Sequence, residues 1–243
     1  MVEAMQCLDI MPGVRLSNDR CLILDDSTMI ISDLHLGYES SLESEGVHLP
    51  RINTLGIRES LHRCLDRHEP DTVVILGDVK HDFRRPDGEC RRDIMSILEL
   101  IAETARPLLV RGNHDNYLQN VIAGSRFEMH DSLDIAGFRL EHGHEDSGVR
   151  PVVIGHEHPS LRIRDATGAS VKLPCFLWSE RAGVIVIPSF SRFSGGNDIG
   201  LSGGGFMSPA LAEVGSEELE VCALSEIGLL PLGSLDPLLF RQT

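Results

Sequence analysis

Five clusters of aspartate, asparagine and histidine, several of them directly at the end of a short apolar run, constrain this chain more than any other feature of its sequence. In order they are Asp33-Leu34-His35, Gly77-Asp78 followed by His81 and Asp82, Gly112-Asn113-His114-Asp115, His142-Gly143-His144, and Gly155-His156-Glu157-His158. Together they supply more metal-binding groups than a core can hide, so the fold has to bring them to a shared surface. Carboxylate and imidazole suit divalent transition ions such as manganese, iron or zinc. A structural zinc would be expected to use thiolate, and no cysteine falls in any cluster.

The segments around the clusters read as strands and helices in alternation. Cys21–Leu24 and Thr28–Ile31, separated by Asp25-Asp26-Ser27, read as a hairpin whose second strand runs into Asp33. Ile57, Leu61, Cys64 and Leu65 make a helical stripe that Pro70 ends, followed by a buried strand over Thr72–Leu76. Ile94, Ile97, Leu98 and Ile101 make a second stripe, stopping before Pro107, and Leu108–Val110 then leads to Gly112. Strand, helix, strand, helix, strand gives right-handed crossovers and a parallel sheet, with ligands bound beyond the carboxyl ends of its strands. After Tyr117 the pattern changes to short strands near 132–135, 138–141, 152–154, 184–187 and 219–224, which predicts a second sheet packed on the first.

A single domain over residues 1–243 is expected, with its motifs within 32–158. A Gly- and Ser-rich stretch over 189–205 reads either as an ordered loop or as a mobile flap near the site, and residues 228–243 read as a Pro/Gly-punctuated extension. The N-terminus lacks a signal-like apolar stretch, no apolar run could cross a bilayer, and the six cysteines lack C-x-x-C spacing. A soluble cytoplasmic protein with reduced thiols and no membrane partner is the expectation. The formal charge of −15 repels a nucleic-acid backbone, so a polyanionic substrate needs bound metal or a local arginine patch.

Taken singly, each cluster has an ordinary explanation as a surface turn, an Asx turn or a pair of exposed histidines. In this order the five resemble the calcineurin-like metallophosphoesterases, whose pattern is D-x-H, G-D, G-N-H-[DE], H-G and G-H-x-H, over Ser32–His158. Ser32-Asp33-Leu34-His35-Leu36-Gly37-Tyr38, Gly77-Asp78-Val79-Lys80-His81 and Pro188-Ser189-Phe190 are similar to the SbcD-type nucleases, most closely to a compact archaeal SbcD-related group. As read, the sequence departs from the nuclease subunits in an expected lack of the long C-terminal region that caps DNA and docks an ATPase, which leaves processive nuclease activity and such a partner open.

The resemblance implies a four-layer α/β/β/α sandwich of two mixed sheets, with two divalent ions, manganese foremost and iron, zinc or nickel as alternatives. It implies one ion held by Asp33, His35 and His158, a second by Asn113, His142 and His156, and Asp78 shared between them. Such ions, roughly 3.5–4 Å apart, activate a water and clamp a phosphoryl oxygen. The neutral amide of Asn113 completes a shell without quenching Lewis acidity. His114, next to a ligand, suits a general acid for the leaving oxygen or a stabiliser of the transition state, and Asp115 either orients it or makes a turn hydrogen bond. His81 is either a phosphate contact, a group behind the ligands, or a solvated loop histidine. His144 competes with His142 for one ligand position and is otherwise a substrate-binding group. His48, His62, His68 and His130 lie outside the motifs and read as surface or packing residues.

The expected reaction is metal-assisted hydrolysis of a phosphodiester or phosphomonoester. A DNA nuclease competes here with a phosphodiesterase for nucleotides or other small molecules, and the DNA case predicts a basic strip from Arg84-Arg85 and Arg91-Arg92 facing the metals. A non-catalytic scaffold is the rival outside enzymology, and the full ligand set speaks against it. The oligomeric state stays open, a homodimer being one alternative.

Overall fold

β-Branched and apolar runs too short to fill a helix, punctuated by turn residues, build two sheets, and two long amphipathic segments build the helices that cover one of them. The computed structural model describes residues 5–44, 46–47, 50–164, 169–199 and 205–235. The chain runs through β1 (Cys7–Met11), β2 (Val14–Ser17), β3 (Cys21–Leu24), β4 (Thr28–Ile31), α1 (Tyr38–Ser44), α2 (Ile52–His68), β5 (Thr72–Leu76), α3 (Gly88–Ile101), β6 (Arg106–Val110), α4 (Leu118–Ile122) and β7 (Met129–His130). These strands form the first sheet in sequence order, antiparallel from β1 to β4 and parallel from β4 to β7. The second sheet holds β8 (Leu133–Ile135), β9 (Phe138–Leu140), β10 (Val152–Ile154), β11 (Pro159–Arg164), β12 (Ser170–Ser179), β13 (Val184–Val186), β14 (Asn197–Asp198), β15 (Glu220–Ser225) and β16 (Gly228–Ser234). Its order is β14-β11-β12-β13-β10-β9-β8, with β15 paired to β12 and β16 to β15.

Alternation along the strands divides the core. Ile23, Met29, Ile31, Val73 and Ile75 face α2 and α3 through Ile57, Leu61, Ile94 and Ile97. Leu22, Leu24, Ile30, Val74 and Leu76 face the second sheet through Val153, Phe176, Ile185 and Ile187. The two-sheet α/β architecture is the one expected. The outermost layer is thinner than the word helix implies: Val152, Ile154, Leu177 and Val186 are covered by two 3₁₀ turns, Pro209–Leu211 and Ser216–Glu218, through Ala210, Leu211 and Leu219.

Two element boundaries differ from expectation. The strand read as Leu108–Val110 begins at Arg106, so Pro107 lies inside β6, ahead of the residues through which β6 pairs with β7. The stretch read as an extension contains β16, which pairs along β15. Pro231 and Gly233 look like breakers, but among the described strands β16 pairs with β15 alone, and prolines are tolerated on edge strands. Residues 236–243 lie outside the described ones, as do His48 and residues 200–204 of the glycine-rich stretch. Among the described residues, no helix is long and apolar enough to cross a membrane.

Candidate active site

All five clusters sit just beyond the ends of strands that run parallel to a neighbour. Asp33 and His35 follow β4, Asp78 and His81 follow β5, Asn113, His114 and Asp115 follow β6, His142 and His144 follow β9, and His156 and His158 follow β10. The first two loops stay side by side after their strands end, because the amides of Asp33 and His35 donate to the carbonyls of Gly77 (3.1 Å) and Asp78 (2.9 Å). Asp33, His35, Asp78, His156 and His158 all adopt positive φ, between 44° and 60°. That region is uncommon outside glycine but is tolerated best by Asn, Asp and His, and strain of this kind collects at functional sites. The glycines ahead of the ligands permit close approach. A Cβ on Gly112 would lie 2.2 Å from Asp78 Oδ1, and one on Gly155 would lie 1.9 Å from Ser32 Oγ.

Among the described residues the side chains converge in three groups whose ligand atoms lie within 4.8 Å of one another: Asp33, His35 and His158; Asp78, His142 and His156; and His35, His81 and His114. In the first, Asp33 is fully buried. Its Oδ2 accepts from Ser32 Oγ (2.6 Å) and the His156 amide (3.2 Å), while Oδ1 has no hydrogen-bond partner. That free oxygen lies 3.0 Å from His158 Nε2, which faces His35 Nε2 at 3.4 Å. In the second, His142 Nδ1 donates to the Leu76 carbonyl (2.9 Å), which turns Nε2 towards Asn113 Oδ1 (3.1 Å) and Asp78 Oδ2 (3.4 Å). A ring lone pair aimed at two acceptors, like a buried carboxylate oxygen with no donor, is an arrangement that a cation or a proton must occupy. The donor set fits divalent transition ions, and the carbonyl that fixes the tautomer of His142 is the usual support of a metal-binding imidazole.

The electrostatics follow from the same crowding. Burial opposes ionisation of Asp33, but the imidazoles of His158, His142 and His35 overcome it and hold the carboxyl well below the usual range. Burial also opposes a charge on His142, yet its hydrogen bond to Asp78 and the charges of Asp33 and Asp78 raise it to about 9. His35 and His156 are pushed down to about 4, chiefly by burial. His158 is raised, burial being outweighed by Asp33.

His114 lies over this site. Its Nδ1 is bonded to the His81 carbonyl, its Nε2 is 3.8 Å from Asp78 Oδ2, and the Phe83 ring sits against it at 3.9 Å between centroids. His81 turns its ring towards the same space, Nδ1 to Nδ1 at 3.5 Å from His35, so it is not a solvated loop histidine. His144 is half-buried beside His142 and His156 (5.3 and 6.1 Å between rings), and its Nδ1 is buried without a partner. It is His142 that meets Asn113 and Asp78. Asp115 does not touch His114. It is buried, accepting from the amides of Val79 (2.9 Å) and Gly112 (2.8 Å), so it clamps two ligand loops together, and the turn-type hydrogen bond is the alternative observed. Burial and the charge of Asp78 raise it to about 6. His62, His68 and His130 stand apart from the site, His68 against Ser17 and Asp19.

Several residues that build the site carry no motif. The Lys80 ammonium is buried and donates to the carbonyls of Asp82 and His114. Asn53 on α2 donates to the His35 carbonyl (3.1 Å) and accepts from Ser191 Oγ (2.8 Å). Its signal was in the sequence, since an asparagine four residues before Ile57 falls on the apolar stripe of the helix. Glu157, between two ligand histidines, is buried and accepts from the amides of Met207 and Ser208. Of the glycine-rich stretch, residues 189–199 form an ordered crossing: the amides of Phe190 and Ser191 donate to the carbonyls of Ser32 and Asp33, and Ser194 Oγ meets His158 Nδ1. The arginines expected to form a basic strip fall in two places. Arg84 and Arg85 border a cavity shared with Asp82 and Asp87, and Arg91 and Arg92 lie on α3.

The model of the family described as calcineurin-like phosphoesterase matches residues 27–150. No curated protein matches the sequence. Among solved structures, the Pseudomonas putida nuclease MPE superposes with a TM-score of 0.66 at 20% identity, over 93% of this chain and 99% of that one. YfcE, a phosphoesterase from E. coli, matches at a TM-score of 0.43 and 19% identity, over 86% of this chain and 99% of that one. The family match spans half of the sequence and covers every cluster but the last. The chain therefore belongs to the calcineurin-like phosphoesterase family, and it is a hydrolase acting on phosphoric esters.

Proposed function

We propose that the protein is a two-metal phosphodiesterase acting on unpaired nucleic acid, with manganese as the first choice of ion and iron, zinc or nickel as alternatives. The observation that carries this reading is the facing of ligand atoms across two adjoining groups: Asp33 Oδ1 without a donor beside His35 and His158, and His142 Nε2 aimed at Asn113 and Asp78. Asp33, His35 and His158 would hold one ion, Asn113, His142 and His156 the other, and Asp78 would serve both. Bound there, the ions supply Lewis acidity, lowering the pKa of a water and drawing charge from the phosphoryl oxygens.

The chain's own residues then orient and transfer a proton. With Nδ1 of His114 tied to the His81 carbonyl, Nε2 is the atom that can hold a proton over the site and release it to the leaving oxygen. His81 turns into the same space and suits a phosphate contact, and His144 lies within reach of substrate on the far side. Phe83, half exposed, lies on His114, while Tyr38 packs on His81 and Phe193 on Tyr38. Such an aromatic rim accepts an unstacked base of any sequence. The net charge of −15 disfavours an extended duplex, and the likeness to the SbcD-type motifs and to the fold of a nuclease supports a nucleic-acid substrate over other esters. Six free cysteines, five of them buried, suit the cytosol.

Hydrolysis of bis-p-nitrophenyl phosphate dependent on manganese, together with cleavage of single-stranded oligonucleotides in preference to duplex, is the expected result. Absence of turnover with every divalent ion at full occupancy would overturn the reading.

A further inference from the structure

His158 separates two spaces. Its Nε2 faces Asp33 and His35, whereas its Nδ1 is bonded to Ser194 Oγ on the wall of a neighbouring cavity of about 140 Å³. That cavity is lined by Arg20, Lys172 and Arg192 with Ser160, Ser194 and the glycines 195 and 196, and no carboxylate lines it. Three cations gathered without an acid are notable in a chain of net charge −15 that has only two lysines.

The donors are left available. Arg20 uses Nη1 alone, donating to the carbonyls of Ser189 (3.0 Å) and Ser191 (3.2 Å). Neither Arg20 nor Arg192 pairs with a carboxylate among the described residues, and burial together with the Arg192 charge pulls Arg20 down to about 10, as expected of guanidiniums with no anion between them. Lys172 donates to the carbonyls of Gly195 and Gly196, which holds the loop wall in place, and no ion pair of Lys172 is found among the described residues. Beyond Arg20 and Arg192, which border both spaces, lies a larger cavity of mixed charge, where Arg63 is joined by Asp19, Glu59 and Glu226, so the stretch lined by cations alone is short.

We propose that this cavity is a subsite for a second phosphate group of the substrate, one nucleotide away from the phosphate at the metal centre. The inference rests on the phosphoesterase reading and narrows it to chains in which a single sugar carries phosphate on both sides. Forked guanidinium donors match phosphate oxygens, and a short basic pocket flanked by acids takes one such group and not a long polyanion.

The test compares p-nitrophenyl esters of thymidine 5′-phosphate and of thymidine 3′-phosphate, each with and without a phosphate on the other hydroxyl, using the manganese-loaded protein. In at least one pair the second phosphate should raise kcat/KM by about tenfold, mainly through KM, as one charge-assisted contact would. Arg192→Ala should bring that ratio close to one, and Arg192→Lys should restore part of it. A ratio near one in the unaltered protein for both pairs, or an unchanged ratio in Arg192→Ala, overturns the subsite. Calorimetric binding of thymidine 3′,5′-bisphosphate separates the two failures. If no ester is hydrolysed yet Arg192→Ala weakens this binding about tenfold, the catalytic reading fails and the anion subsite stands. If esters are hydrolysed and binding ignores Arg192, the subsite fails and the catalytic reading stands.

Discussion

Lys80 is 1% exposed, and its ammonium is spent on two backbone carbonyls, those of Asp82 and His114. Burial lowers its pKa against the charges of Asp115 and Asp82, so the group is retained at an electrostatic cost. What it secures is the position of His114, through the loop on either side of the ring. Lys80→Met is therefore expected to keep metal content and to lower kcat by about ten- to a hundredfold, as misplacement of a reacting group does. Metal analysis and steady-state kinetics check it; an unchanged kcat would show that His114 needs no such support. The histidines and aspartates of the proposed metal shell were legible in the sequence because such a shell demands particular donor atoms. Lys80, Glu157 and Arg20 were not, since each acts on backbone brought close only by folding, and a lysine or a glutamate gives no local sign of which carbonyl or amide it will meet.

At the scale of elements, α3 begins on Asp87, whose Oδ1 accepts from the amides of Glu89 (2.9 Å) and Cys90 (2.7 Å). Asp87→Ala should destabilise the fold by about 1 kcal/mol. Urea denaturation measures it, and a change below a few tenths would mean that water replaces the cap. The strands flanking the site, β4, β5 and β10, were readable because each is buried on both faces and so is a continuous apolar run. The hairpin of β11 and β12 was not readable, because Arg162, Lys172 and Pro174 interrupt the apolar residues that would mark its two strands. β1 and β2 escaped for a similar reason, with Pro12-Gly13 between strands of mixed polarity.

For the molecule as a whole, the proposed ligands come from both sheets, Asp33, His35, Asp78 and Asn113 from the first and His142, His156 and His158 from the second. Cations held between them would oppose separation of the sheets. Metal at a hundredfold over its dissociation constant should contribute about 2.7 kcal/mol, raising Tm by roughly 5–10 °C over the chelated protein. The pH dependence has a definite sign. His142, raised to about 9 from 6.5, stabilises the metal-free fold fully below pH 6.5, and that contribution is lost as pH rises through about 9. Tm of chelated protein should therefore fall across this window, while manganese, taking the place of the proton, should flatten the curve; a flat curve for the chelated protein would contradict the assignment. The left-handed backbone at positions 33, 35, 78, 156 and 158 reaches further still. Folding itself prefers Asn, Asp, His or Gly there, whatever becomes of the chemistry. A saturation library selected only for soluble expression, with no assay of turnover, would thus still recover the outline of the catalytic motifs and would be depleted of valine and isoleucine at those five sites.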